Sequence, residues 1–174
     1  MNTNGMRSLH TMGGCLARRR LRMPRFRFTL NKMGDRVSKA TRSKIMASVA
    51  TRNTGPEIAL RQALHAAGFR YVTHSNALPG RPDIVLSRLR KVIFVHGCFW
   101  HGHRCRWGKL PKSRLDYWGP KIAGNRERDS RTLRSIRREG WQALVVWQCQ
   151  IRNLDKTLPG VLKFLRSRPL RKAG

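Results

Sequence analysis

The chain has 174 residues, 40% of them hydrophobic, which suits one domain with its own core. Lys and Arg number 38 against 8 Asp and Glu, a net charge of +30 that exceeds an ordinary solvated surface and calls for a polyanionic partner, most simply nucleic acid. No apolar run approaches the ~18 residues that span a bilayer, the N-terminus lacks the apolar stretch of a secretory signal, and no long amphipathic helix with a broad apolar face speaks for a membrane-surface protein.

Residues 1–36 read apart from the rest. "LARRRLRMPRFRFTLNK" is basic and has no clean period, and the segment carries nine Lys and Arg against the single acid Asp35. It reads as a disordered basic arm. "MGDRVSKATRSK" from Met33 also looks like a natural opening, and an Arg-rich, acid-poor N-terminus is also what an organelle transit peptide carries. Most of the +30 remains once the arm is set aside, so the main body is basic in its own right.

A helix is predicted from near Ser38 through "KATRSKIMASVA". A second is better marked: Thr54-Gly-Pro-Glu57 has the form of a capping box with Pro56 in the first turn, Leu60, Ala63, Leu64 and Ala67 recur at helical spacing, and Gly68 ends it. "PGRPDIVLS" and "KVIFVHG", separated by "RLR", read as a β-hairpin. A helix follows from about Pro120 to Glu139, with Ile122, Leu133 and Ile136 on its apolar stripe and Asp129 on the same stripe, where a carboxylate needs a buried partner. "WQALVVWQC" is a third strand, closed by Cys149, and residues 156–174 form a basic C-terminal helix or tail. This order predicts an α/β fold, a mixed β-sheet flanked by helices.

The densest chemistry is "HGCFWHGHRC", residues 96–105. Tetrahedral zinc takes four Cys or His ligands, often a close group plus a distant one, and Cys98, His103 and Cys105 with Cys149 make such a set. A closed Cys₃His set leaves no open position, so the zinc is expected to be structural. Cys15 lies in the basic arm, outside the set. Pro82-Asp83 enters the first strand of the hairpin, where a carboxylate can hold a catalytic Mg²⁺. The hairpin brings "FVHG" beside it; there His96 is placed to reach Asp129, and His101, just past the strand end, to accept a proton from water.

Together "KATRSKIMASVATRNT", "LPGRPDIV", "VIFVHGCFWHGHRC", "NRERD" and "GWQALVVWQC" resemble the very short patch repair (Vsr) endonucleases, in that family's order and from about Ser38 to Arg152. The resemblance implies a restriction-endonuclease-like fold over residues 37–155, with "FVHG" in place of the usual acid-x-lysine. It implies a cytoplasmic, bacterial-type enzyme, nucleoid-associated when acting, that works as a monomer ahead of downstream repair proteins. That enzyme recognises a T·G mismatch in double-stranded DNA, left by deamination of 5-methylcytosine, and nicks the thymine strand on its 5′ side. By motif position Asp83 matches the Mg²⁺ ligand, joined by the main-chain carbonyl of Val95. His101 matches the general base, and His96 the phosphate-side histidine oriented by Asp129. Glu57 matches an acid of the metal–water network, a role that competes with its capping-box reading. Cys98, His103, Cys105 and Cys149 match the structural zinc ligands. Val95 stands where the family often has Thr, and Gly102 and Arg104 interrupt what is often a run of histidines.

Phe99 and Trp100 are then wedge residues: unstacking a base step costs a few kcal/mol, least at a mismatch. The family adds Trp118 and Met46 to the wedge; Trp141 and Trp147 read as core. Two other functions share these features, a less specific nuclease of the same fold and a zinc-stabilised nucleic-acid binder without catalysis. Asp83, His96 and His101 together speak against the second, because a binder has no need of them.

Overall fold

In a computed structural model, the structure describes residues 52–112 and 114–168 together with Ser38, Ala40, Thr41, Lys44 and Ala47. The basic arm, Cys15 and Met46 lie outside the described residues. Ala40, Thr41, Lys44 and Ala47 are helical, as expected for that stretch. All belong to the unit that runs from Gly34 to Gly174.

The elements that follow are α1 (Gly55–Ala66), β1 (Ile84–Leu86), β2 (Lys91–His96), α2 (Leu115–Arg138), β3 (Gln142–Trp147), the single turn α3 (Gln148–Ile151) and α4 (Leu154–Arg166). The sheet order is β1-β2-β3. The β1–β2 pair is antiparallel, as the hairpin reading expected, and β2–β3 is parallel, with Lys91 opposite Gln142 and His96 opposite Trp147. The sheet is therefore mixed and flanked by helices. Among the described residues no helix is long and apolar enough to cross a membrane.

Side chains on a strand alternate between faces, and the two cores follow that alternation. Ile84, Leu86, Ile93 and Val146 pack with Leu60 and Leu64 of α1, Ile151 of α3 and Leu154, Val161 and Leu165 of α4. Val85, Val92 and Phe94 face the other way, onto Leu78 and Ile136 of α2, with Leu133 and Trp141 alongside. The parity places two polar residues of β2 on opposite layers. His96 shares the α2 face with Val92 and Phe94, while Lys91 shares the α4 face with Ile93.

Lys91 is 0% exposed at the start of a central strand. Its Nζ donates to the carbonyls of Phe164 (2.6 Å), Leu165 (3.1 Å) and Ser167 (2.5 Å) and reaches the Ser167 hydroxyl at 3.0 Å. These acceptors cluster at the C-terminus of α4, where the helix dipole favours a cation. Burial pulls the lysine pKa below its usual range. Charge-assisted bonds of about 1.5–3 kcal/mol each offset a desolvation cost of several kcal/mol.

Three local expectations change. The α2 helix begins at Leu115, not Pro120, following Arg114 in a left-handed conformation (φ 55°). Pro120 is the sixth residue of a 24-residue helix, past the first turn, so the Asp116 carbonyl goes without its helical N–H, and the earlier start makes Trp118 helical. Cys149 lies in α3, not at the end of a strand, because β3 ends at Trp147. The capping box does not form: the Thr54 side chain bonds no helix N–H and donates instead to Glu57 Oε1 at 2.8 Å. Glu57 has turned inward to Arg61 and is 3% exposed.

Replacing Lys91 with Met should take the buried donor away from the Leu165 and Ser167 carbonyls, at a cost of about 1–3 kcal/mol. Urea unfolding of both proteins measures it, and hydrogen exchange should rise selectively in residues 161–167.

Candidate active site and metal centre

Both β2 and β3 run out at the same end of the sheet, and the functional residues collect there. Past His96 the chain turns through Gly97–Cys105, tied back on itself by His101 N–H to Gly97 O (3.2 Å) and His103 N–H to Cys98 O (2.9 Å). The loop lies on one stripe of α2: Trp118, Ile122, Asn125, Asp129, Leu133 and Ile136, spaced at helical intervals. Ile122 supports Gly102, which has a positive φ of 63° and where an added Cβ would come within 2.8 Å of Ile122 Cγ2. The carboxamide of Asn125 donates to the carbonyl of Trp100 at 2.8 Å. Asp129 meets His101. Asn125 was missed in the sequence although the stripe that singled out Asp129 passes through it.

The expected partner of Asp129 was His96; the structure gives it His101 instead, with Nδ1 to Oδ2 at 2.5 Å. A carboxylate only accepts, so Nδ1 carries a proton, and in the neutral imidazole Nε2 of His101 is the acceptor. The reason for the change is the turn after β2, which carries His101 across the top of His96. The two imidazoles stack with centroids 3.9 Å apart and planes 9° from parallel. His96 is buried, and burial first, then the neighbouring His101 and Arg128, lower its pKa to about 4 against the opposing pull of Asp129. It is neutral at physiological pH.

Beyond the start of β1 lies a second group. Asp83 Oδ2 accepts the N–H of Val95 at 2.7 Å. Burial raises its pKa and the nearby Glu57 carboxylate adds to the rise, while the Val95 bond, His74 and Arg61 oppose it. Ligand atoms of Glu57, His74 and Asp83 lie within 4.8 Å of one another, as do those of His96, His101 and Asp129. The fold thus gathers all five expected catalytic residues into two neighbouring clusters. It adds His74, which sits in an irregular segment anchored by the isolated bridge of Val72 to Val85. No periodicity marks that segment, so nothing in the sequence drew attention to His74.

Cys98, His103, Cys105 and Cys149 bring four ligand atoms within 4.8 Å. Cys98 is fully buried, and Cys149 Sγ is 3.5 Å from His103 Nδ1. Burial pushes the Cys98 thiol up to about 12 and raises Cys149. At Cys105 burial also raises the pKa, but hydrogen bonds from His103, the Trp107 backbone, Cys98 and Cys149 outweigh it and bring the thiol down to about 6. The loop closes at Gly108, where a Cβ would lie 1.9 Å from the His103 carbonyl oxygen. Trp147, expected in the core, instead joins the two sites: it stacks on His103 (4.3 Å, 21°) and meets His96 edge-on (5.4 Å, 76°).

Phe99, Trp100 and Trp118 form an edge-to-face cluster with centroid separations of 5.0–6.1 Å, all three half-buried. Tyr117, 48% exposed, extends it at 5.0 Å from Trp118 with the Arg114 guanidinium over its ring.

Comparison with known proteins places this arrangement. Residues 34–107 match the family model described as DNA mismatch endonuclease Vsr. The type II nicking enzyme V.XorIIP of Xanthomonas oryzae pv. oryzae is 54% identical over 122 residues, 70% of this chain and 90% of its own length. The DNA mismatch endonuclease Vsr of Escherichia coli K12 is 44% identical over 124 residues, covering 71% and 80%. The type II nicking enzyme V.NmeAIP of Neisseria meningitidis is 40% identical over 121 residues, covering 70% and 86%. With most of a relative's length matched at more than half identity, the chain belongs to the Vsr family of DNA endonucleases.

Proposed function

We propose that this DNA endonuclease nicks the thymine strand of duplex DNA on the 5′ side of a T·G mismatch, and so opens very short patch repair. One observation carries the reading: a single stretch, the last residue of β2 and the loop that follows it (residues 96–105), holds the histidines of the hydrolytic cluster and two aromatics of the wedge. Insertion at a mismatch and presentation of the neighbouring phosphate then become one rigid event. The relative named a mismatch endonuclease and those named nicking enzymes support it. The mixed sheet carrying Asp83 at the entrance to β1 fits a restriction-endonuclease-like fold.

Asp83 and the main-chain carbonyl of Val95 are the residues that would hold Mg²⁺. The N–H and C=O of one strand residue leave from the same edge, and the Val95 N–H already points to Asp83. A half-buried carboxylate raised by burial and by a second carboxylate is one that gains by meeting a cation. When bound, the ion polarises the phosphate and acidifies water. His101, held by Asp129 in the Nδ1–H tautomer, takes the proton of the attacking water at Nε2. His96, neutral by burial, offers the phosphate a hydrogen bond rather than a charge.

The Cys98, His103, Cys105 and Cys149 cluster has the Cys₃His composition of a closed structural zinc site. Its work is to fix the loop that carries both wedge and histidines. Purified protein is expected to contain about one zinc per chain by metal analysis. Cys149→Ala should lose that zinc and melt at lower temperature; a folded wild type without metal would overturn the assignment.

For Asp83→Asn, nicking of a T·G duplex with Mg²⁺ should fall to background while mismatch binding in a gel-shift assay persists, because binding rests on the basic surface. Nicking at near the wild-type rate would place the active site elsewhere.

Phosphate contacts are blind to sequence, so discrimination needs a step whose cost differs between a wobble pair and a matched pair. Replacing Trp100 with Ala removes a stacking contact of about 1–3 kcal/mol, roughly five- to more than a hundredfold, yet leaves the Asn125 bond to the residue 100 carbonyl intact. Nicking of T·G duplex should drop by that factor while affinity for matched duplex, at fixed salt, changes little. An unchanged mismatch preference would make the enzyme a less specific nuclease or move the wedge to other residues.

A further inference from the structure

One cation already stands inside the nuclease cluster. The Arg61 side chain, 11% exposed, lies against Glu57 with Nη2 2.8 Å from Oε2. Its Nη1 donates to Asn53 Oδ1 at 2.7 Å, and Nη2 lies 3.0 Å from His74 Nε2. A guanidinium only donates, so His74 Nε2 accepts from it, and its 3.3 Å approach to Asn53 Oδ1 is then no bond. Arg61 Nε is buried with no partner among the described residues, an outlay that an ordinary surface pair on a helix avoids by facing water. Both residues that hold the guanidinium sit in left-handed backbone, Asn53 at φ 53° and His74 at φ 50°. Such conformations persist where the surroundings enforce them.

Both oxygens of Glu57 are engaged as a result. Oε1 takes the Thr54 hydroxyl at 2.8 Å, and Oε2 takes both the Asn53 N–H at 3.0 Å and Arg61. Of the Asp83 oxygens, Oδ2 takes the Val95 N–H, and Oδ1 has no hydrogen bond among the described residues. We propose that Arg61 is a built-in counter-cation of the nuclease site: it neutralises Glu57, leaves Asp83 as the carboxylate of this pair with an oxygen that takes no hydrogen bond among the described residues, and so limits the free enzyme to one divalent ion. Asn53 and His74 are positioning residues for it. With Arg61 the two carboxylates carry a net charge of −1, enough for one divalent ion; without it they carry −2 and Glu57 becomes a ligand.

The inference rests on the reading of Asp83 as the cation ligand, and the test separates the two. Mn²⁺ binding to the zinc-loaded protein without DNA is counted by electron paramagnetic resonance, in which zinc is silent. Wild type should bind one Mn²⁺ that Asp83→Asn abolishes; if wild type binds none, or Asp83→Asn binds as wild type does, the metal-site reading itself falls. Arg61→Gln and Arg61→Met should bind a second Mn²⁺, or the first about tenfold or more tightly, from loss of a unit positive charge a few ångströms away. Arg61→Lys, which keeps the charge, should behave as wild type. Zinc content and circular dichroism report folding. Neutral variants that fold and bind Mn²⁺ as wild type does overturn the counter-cation. So does failure of both neutral variants to fold, since the guanidinium would then serve the fold and not the ion count.

Discussion

The parallel register of β2 and β3 is the constraint from which the rest of this molecule follows. Pairing His96 with Trp147 sends two chain segments out of the sheet side by side. One becomes the loop with His101, Cys98, His103 and Cys105, and the other places Cys149 two residues beyond β3. Parallel strands need a crossover, and α2 supplies it. At 24 residues it is about 36 Å long, enough to start beside the loop and return to the opposite end of the sheet. Its earlier turns, as far as Asp129, therefore support the site with Trp118, Asn125 and Asp129, and its last turns pack Leu133 and Ile136 into the core.

Electrostatics in this region is governed by burial. His96 is kept neutral, Asp83 is pushed toward its protonated form, and the cysteine cluster divides into thiols held high and one brought low. Burial holds back the charged forms of Asp83, His96, Cys98 and Cys149, while hydrogen bonds favour that of Cys105. The surrounding Lys and Arg excess draws DNA in without choosing among sequences. A long-range field for capture and a short-range, desolvated cluster for chemistry are separate devices here, and they occupy different residues. Arg61 is the point where they overlap, a basic side chain withdrawn from the surface to balance a carboxylate inside.

A loop without regular backbone pairing has to be fixed by other means if its aromatics are to open a base step. Here the Cys/His cluster gathers its ends, Asn125 holds the carbonyl of Trp100, and Phe99, Trp100 and Trp118 brace one another edge-on. Trp147 stacks on His103 and touches His96, so the metal-type cluster and the histidine pair share one wall. Rigidity in the cluster is thereby passed to the groups that would do the chemistry. Lys91 performs the corresponding service on the other face, anchoring the end of α4 to the first residue of β2.

Local pattern sufficed for whatever depends on neighbours along the chain. The hairpin, the third strand, the helical stripe through Ile122, Asp129, Leu133 and Ile136, and the four Cys/His residues were legible because period and residue type mark them directly. Boundaries and partners were another matter. Pro120 looked like a helix start because a proline tolerates the first turn, yet packing of Trp118 on the loop extends the helix back to Leu115. Thr54 and Glu57 had the spacing of a cap, yet a buried arginine four residues on offers Glu57 a stronger partner than a backbone N–H. Asp129 was identified as needing a buried partner, but the choice of His101 over His96 depends on how the loop folds back over β2, a contact across 28 residues. His74 carries no local signal at all, and only the bridge of Val72 to β1 sets it beside Arg61. The chain's own pattern determined which elements form and which chemistries are available. Only the tertiary structure decided which side chains meet, because hydrogen-bond partners are selected by directions and distances that sequence spacing does not encode.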